Sequence, residues 1–129
     1  MTTDAALVDR LLRLPALAAA DPGLAARGLH LTAAMLVEVG ATAVYVELVG
    51  GTVAAIAAGP RLMRSWQFAV RGTARAWEAY WQPIPPPGWH DLFALGKRGE
   101  LRFEGDLQPL VANLQFIKDL LALPRQASP

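Results

Sequence analysis

The sequence predicts one α+β domain: N-terminal helices, a meander of strands, further helices and a final β-α unit. Three observations predict it. From Gly99 to Leu121 the chain reads as a strand, a glycine turn and a helix. Gly50-Gly51 divides two runs of period-two alternation, as a tight hairpin requires, and two capped helix starts stand near the N-terminus, at Thr2 or Thr3 and at Asp21-Pro22. Residues 1–39 are read as the N-terminal helices and 41–123 as the meander, helices and final β-α unit of the same domain, since 129 residues suit one core.

In the first helix Leu7, Val8, Leu11 and Leu12 form a stripe opposite Asp9, Arg10 and Arg13, and Pro15 ends or kinks it. The second, opened by Asp21 and Pro22, is predicted to run through Leu24, Leu31, Met35 and Val39 to a stop at Gly40. Leu29, Ala33 and Leu36 widen its apolar arc until it must be mostly covered. From Ala41 the period becomes two: Val44, Val46 and Leu48 alternate with Tyr45 and Glu47, and Thr52 to Ala58 returns as a strand of small and branched residues. Gly59-Pro60 turns into a third strand of the meander, in which Trp66, Phe68 and Val70 alternate with Gln67, Ala69 and Arg71. Thr73 caps a helix from Ala74 to Trp81 whose Trp77 and Trp81 share a face. Pro83, Pro85, Pro86 and Pro87 predict an extended polyproline loop to Gly88, and Trp89 to Leu95 a short helix or turn. In the last unit Leu101 and Phe103 alternate with Glu100, Arg102 and Glu104, and Gly105 breaks the strand. Asp106 is placed to cap, Pro109 fits the first turn, and Leu107, Leu110, Val111, Leu114, Ile117 and Leu121 make one apolar stripe that Pro124 closes.

Composition narrows the function. Apolar residues make up 53% of the chain and charged ones only 18%, a surplus that must enter a core, an oligomer interface or a hydrophobic cavity. A net charge of +1 lacks the basic excess of a nucleic-acid binder. Without cysteine there is neither a disulfide framework nor thiolate chemistry. The first residues lack the basic-then-apolar order of a secretory signal, and Glu47 and Gly50-Gly51 interrupt the apolar tract from Gly40 to Gly59. Neither a leader nor a transmembrane segment is expected, and the expected location is cytoplasmic.

Residues suited to catalysis are sparse. Ser65 has no nucleophile-elbow context and Ser128 lies near the chain end. His90-Asp91 is the best acid-base candidate, yet sequence neighbours point to different faces and Asp91 more simply caps a helix. His30 is expected to be a hydrogen-bonded histidine among apolar residues, and two distant histidines without cysteine argue against zinc. Glu100 and Glu104 share an outer strand face and read as solvated charges. Arg61, Arg64, Arg71 and Arg75, with Gly72-Thr73 at a helix start, can receive an anion, but no glycine-rich phosphate fingerprint accompanies them, and surface charge is the better reading. The aromatics say more. Trp66, Phe68, Trp77, Tyr80, Trp81, Trp89, Phe93 and Phe103 crowd the middle third and the strand after it. Ala54, Ala55, Ala57 and Ala58 leave room above the sheet for bulky side chains or a ligand.

The strand Glu100-Leu101-Arg102-Phe103-Glu104, the following Gly105-Asp106 and the helix from Leu110 to Leu121 resemble the C-terminal unit of the sterol carrier protein 2 family, a family of small lipid-binding domains. The segments from Ala41 to Arg71, the helix with Trp77 and His90-Asp91-Leu92 fall in that family's order, so the resemblance spans Val37 to Leu123. It implies a twisted, mainly antiparallel sheet of four to five strands with helices packed on one face, and a hydrophobic tunnel between them that binds fatty acyl, sterol or other apolar ligands without chemistry. Three departures stand out: four clear strands where the family has five, a proline-rich Pro83 to Gly88, and a chain end, Gln-Ala-Ser-Pro, that is not a peroxisomal signal.

The functional expectation is therefore a non-catalytic carrier or binding domain for a lipid or other apolar small molecule, with no cofactor and no metal. Lining positions are those on the apolar face of each element: Leu31, Met35, Val46, Ile56, Phe68, Trp77, Trp81, Phe93, Phe103, Leu114 and Ile117. The alternative is an accessory module that forms a homodimer or docks on a partner enzyme. Its basis is the second helix and the tryptophan-rich proline loop.

Overall fold

The computed structural model describes residues 3–60 and 64–126. Its strands are β1 (Ala33–Val39), β2 (Thr42–Val49), β3 (Thr52–Ala58), β4 (Phe68–Gly72) and β5 (Leu101–Gly105). Helices α1 (Asp4–Leu11), α2 (Leu14–Ala19) and α3 (Pro22–Arg27) precede the sheet, and α4 (Ala74–Tyr80) and α5 (Leu92–Lys97) join β4 to β5. The chain then runs through α6 (Gln108–Ala112), α7 (Leu114–Ala122) and a 3-10 turn at Leu123–Gln126. The strands form one sheet in the order β3-β2-β1-β4-β5, antiparallel except where β1 meets β4.

Local chemistry explains the element starts. Thr3 Oγ1 accepts the Ala6 N–H, Asp21 Oδ1 that of Leu24 and Thr73 Oγ1 that of Ala76, each satisfying a donor the first helical turn leaves unpaired. Gly50 and Gly51, at φ of 55° and 81°, make the two-residue turn between β2 and β3. Asp106 Oδ1 accepts the Gln108 N–H, although the cap position itself falls on Leu107.

The second helix departs from expectation. It stops at Arg27, and Ala33–Val39 is the fifth strand, so the helical reading of residues up to 39 is corrected. An arc apolar nearly all round fits a covered helix and a strand buried on both faces equally well. Here Met35, Val37 and Val39 face the helices while Leu36, also buried, points the other way. Gly40, at φ 61°, is accordingly a hairpin turn residue between β1 and β2, not a helix stop.

The meander is made of other strands than predicted. β1, β2 and β3 are consecutive hairpin neighbours, but β4 lies on the far side of β1, parallel to it, with Met35 opposite Phe68 and Val37 opposite Val70. Trp66 falls before this strand, half-buried beneath the Arg71 guanidinium, which lies 5.5 Å from its ring. The last helix is two, broken at Asn113 (φ −125°). Nor is the proline loop extended: it bends at 82–84 and turns at 87–88, with the Trp89 N–H donating to Pro86 O. Thr2, Arg61 and Ser128 lie outside the described residues.

One face of the sheet carries the core. Met35, Val37, Val39, Val44, Val46, Leu48, Phe68 and Val70 pack with Leu7, Leu11, Leu14 and Leu24 of the first three helices and with Trp77, Trp81, Ile117 and Leu121 of the later ones. Trp77 and Trp81 stack at 5.2 Å. Gly72 allows Trp77 to lie flat on β4, since a Cβ there would stand 2.5 Å from its Nε1. Each indole N–H has a backbone acceptor, Glu38 O for Trp77 at 2.9 Å and Leu121 O for Trp81 at 2.7 Å. Arg10, read from the sequence as part of a wet face, is instead only 8% exposed. Its Nη2 donates to Trp81 O at 3.0 Å and Pro124 O at 2.9 Å.

Candidate functional site

Among the described residues a small cleft of about 280 Å³ lies between Pro15, Ala18, Pro22, Ala25 and Val53, and charge separates three others. The first lies over Glu38, Arg71, Thr73, Glu100 and Arg102 and has a volume of about 280 Å³. Its ions are matched internally: Arg71 holds Glu38 and Glu104, each at 2.7 Å, while Glu100 accepts from Arg75 and from Thr73 Oγ1. Hydrogen bonds to Arg71 and to Arg75 hold the Glu104 and Glu100 carboxyls below the usual carboxylate range. The same contacts, Glu104 first, raise Arg71 further. The reading of Glu100 and Glu104 as merely solvated charges is thus corrected: both are ion-paired. Arg64 pairs with Glu47 at 3.3 Å, so of the predicted basic group Arg64, Arg71 and Arg75 are all spoken for.

The second cleft, about 370 Å³, is lined by Tyr80, His90, Asp91, Lys118, Asp119 and Arg125 among others. Here too the partners are internal. Lys118 Nζ lies 2.8 Å from Asp91 Oδ1 and holds that carboxyl below its ordinary value. Arg125 donates to Tyr80 O, and the Tyr80 hydroxyl donates to Lys118 O at 3.1 Å. His90 is exposed at the edge of this cleft, and Ser65 is exposed. His30 is also exposed, in the turn after α3, which corrects the expectation of a histidine enclosed by apolar neighbours. Among the described residues no cluster of three or more His, Asp or Glu side chains could hold a metal ion.

The third cleft is apolar. It is an open groove of about 750 Å³ between α5 and the edge strand β5, lined by Phe93, Gly96, Leu101, Phe103 and Leu107, with Lys97, Arg102 and Glu104 at its margin. That volume lies within the range that small-molecule sites occupy. The pleat decides what enters it. Phe103 pairs with Val70, which pairs with Val37, so its ring points to the helix-covered face of the sheet. Phe93, at the second position of α5, meets it edge-on at 5.6 Å. Gly96, one turn further along the same helix, leaves the room: a Cβ there would lie 3.3 Å from the Phe103 ring. Lys118 Nζ, which lines the charged cleft, sits 5.5 Å from the Phe93 ring that lines the apolar groove.

The predicted lining positions fall into two groups. Leu31, Met35, Val46, Phe68, Trp77, Trp81 and Ile117 are at most 2% exposed and belong to the packed core, with Ile56 half-buried against it and Leu114 half-buried at the start of α7. Phe93 and Phe103 alone of the eleven line the groove. Leu101, Leu107 and Gly96 were not singled out as lining. Leu101 shares the period-two face of Phe103, and that signal identifies it; nothing local to Gly96 or Leu107 reveals that a helix end and a strand edge diverge there.

No family model matches the sequence, and no curated protein matches it. Solved structures do. A crystal structure of sterol carrier protein 2 superposes with a TM-score of 0.73 at 13% identity, covering 93% of this chain and 96% of the other. The apo form of sterol carrier protein 2 from Yarrowia lipolytica gives 0.59 at 11% identity over 95% and 92%. A conserved hypothetical protein of Thermus thermophilus, described as possibly a sterol carrier protein, gives 0.64 at 12% identity over 90% and 86%. The chain has this fold, with the mostly antiparallel five-stranded sheet that the resemblance implied.

Proposed function

We propose that this chain, built on the sterol carrier protein 2 fold, is a non-catalytic binding domain for a lipid or other apolar small molecule held in the groove between α5 and β5. One observation carries this reading: the groove is walled by Phe93, Leu101, Phe103 and Leu107, on the side of the sheet where the helices pack. Carrier function in structural neighbours of the same fold supports it. Phe93 and Phe103 contact the ligand, and none of the other nine predicted lining residues lines this groove. The charged residues of the other two clefts hold one another, which suits binding without chemistry.

The test combines native mass spectrometry of protein from a lipid-containing host with titration of a fluorescent long-chain acyl probe. A bound apolar species and saturable probe binding are expected. Phe103→Ala should weaken probe binding at least tenfold, the consequence of about 1.5 kcal/mol or more of lost apolar burial. His90→Ala, in the charged cleft, should leave it unchanged. A ligand-free protein with no probe response, or loss of a measured turnover in His90→Ala with the fold intact, would refute the reading.

The openness of the groove favours a second reading, a module that docks on a partner enzyme or on its own copy. A homodimer in sedimentation that binds no acyl probe would select it.

A further inference from the structure

The two edges of the sheet are guarded differently. β5 carries Arg102 and Glu104, charged side chains of the kind that keep an edge strand from pairing with another molecule. β3, at the other edge, reads Thr-Val-Ala-Ala-Ile-Ala-Ala, and no charged residue stands anywhere between Glu47 and Arg61. Helix α2, which packs against β3, is Leu-Pro-Ala-Leu-Ala-Ala. Between Arg13 and Arg27 the one charged residue is Asp21, and its carboxylate caps the Leu24 N–H. Ala16, Ala19, Ala54 and Ala55 are nonetheless exposed. Two charge-free runs meet at one margin of the molecule and face water there, where an ordinary surface mixes both signs.

The ladder fixes which backbone groups of β3 are left over. Gly59 N–H donates to Ala43 O, and in the same register Ala57 opposes Tyr45 and Ala55 opposes Glu47, the pairs that exchange hydrogen bonds with β2. The N–H and C=O groups of Ile56 and Ala58 alternate with these and point away from the sheet, with no backbone partner among the described residues. The register shift beside Leu48, which leaves Ala54 unmatched, lies toward the Gly50-Gly51 turn, so Ala55 to Ala58 stays regular. Side chains alternate as well: Ile56, opposite Val46, packs against the core, and Ala57, opposite Tyr45, lies on the other face.

We propose that β3 is the dimer interface of this protein. Two copies pair antiparallel about a two-fold axis at Ala57, with Ile56 of each opposite Ala58 of the other, and their sheets join into one of ten strands, five from each copy. In that register the leftover N–H and C=O groups of Ile56 and Ala58 bond one another. Ala57 meets its own copy at a non-hydrogen-bonded position, where Cα atoms come within about 4.5 Å and a small side chain suits the approach. On the helix side Ile56 stands beside Ala58 of the other copy, large against small, and the two α2 helices flank the axis on the same side of the joined sheet. The absence of charge selects a second copy as the occupant. A two-fold sets like against like, so a charge near the axis would face its own sign, and β3 and α2 hold none. A foreign strand, by contrast, would draw its specificity from complementary charges that β3 does not offer. The grooves beside β5 lie at the two far edges and stay open, so the interface is independent of what they bind.

Analytical ultracentrifugation and amide hydrogen exchange test it on the intact chain. A dimer is expected in the micromolar range, with the Ile56 and Ala58 amides slow to exchange in the dimer and fast on dilution to monomer, because a single copy gives them no acceptor. Ala58→Pro removes an outward N–H and no bond to β2. It should leave the circular dichroism spectrum unchanged while weakening dimerisation about tenfold or more, since the two-fold repeats each lost hydrogen bond. Ala57→Lys, which sets two ammonium groups face to face at the axis, should do likewise. Should either variant unfold, the exchange pattern of the native chain decides. A chain that stays monomeric at high micromolar concentration overturns the proposal. So does a dimer that both folded variants leave intact, or one whose protection falls on Leu101–Gly105 instead of Ile56 and Ala58.

Discussion

Replacing Arg10 by methionine should destabilise the fold by about 2–4 kcal/mol, and the structure shows why the sign is not obvious. The guanidinium is buried against Trp81, 5.7 Å from its ring centre, with no salt bridge to a carboxylate among the described residues, and burial lowers its pKa from the ordinary arginine value. Removing such a charge recovers a desolvation cost of several kcal/mol, and methionine keeps most of the stem's packing. Against this stand two hydrogen bonds from a charged donor, each worth about 1.5–3 kcal/mol. Their acceptors decide the balance. Trp81 O closes α4 and Pro124 O lies in the turn after α7, both residues are buried, and methionine leaves each carbonyl without its donor. A cation at helix C-termini also meets the negative ends of their dipoles. Urea unfolding followed by tryptophan fluorescence measures the loss. For a domain of this size the melting temperature should fall by about 10 °C. Arg10→Lys should fall between, because both bonds come from the one Nη2 and an ammonium can donate to both carbonyls, but its more strongly hydrated charge costs more to bury. A methionine variant as stable as the native chain, or more so, would refute the assignment of Arg10 as the clamp between α1, α4 and α7.

Two titrations probe the charged cleft. Burial pushes the Tyr80 hydroxyl up to about 12, so spectrophotometric titration should show one of the two tyrosines ionising that late, and Tyr80→Phe should remove the step. Because the folded value exceeds the unfolded one, this contribution is full below about pH 10 and disappears as the pH rises through the folded value. Asp91 has the opposite sign. Its lowered folded pKa makes the Lys118 pair stabilising above about pH 5 and lost as the pH falls through the folded value, so Asp91→Asn should cost about 0.5 kcal/mol at neutral pH, discounted for exposure, and progressively less in urea melts as the pH falls through that value.

How much of this was legible in the sequence depends on how local each signal is. Thr3, Asp21, Thr73 and Gly50-Gly51 act on neighbours three residues away or fewer, and each does what its type predicts. Ala33–Val39 fails because its pattern is degenerate: every position but Ala34 and Glu38 is buried, and a run buried on both faces has no period to read. The parallel pairing of β4 with β1 is less visible still. Phe68 and Val70 present the same alternation whether their neighbour is β3 or β1.

The site was harder to read, for a reason that lies in packing. An apolar face in sequence marks a side chain that leaves water, but not whether protein or ligand replaces the water. Trp77 and Phe103 both satisfy that pattern. Trp77 stacks on Trp81, donates to Glu38 O and is fully buried, whereas Phe103 lies half-buried on an edge strand with Phe93 and the bare Gly96 opposite. The difference comes from what lies opposite: Trp77 on α4 packs over Gly72 of β4, inside the sheet, while an edge strand borders whatever the helix layer leaves uncovered. An apolar aromatic on the core face of an edge strand, opposite a helical glycine, is therefore a sharper signature of a groove than apolarity alone. In this chain that combination falls on Phe103 and Gly96.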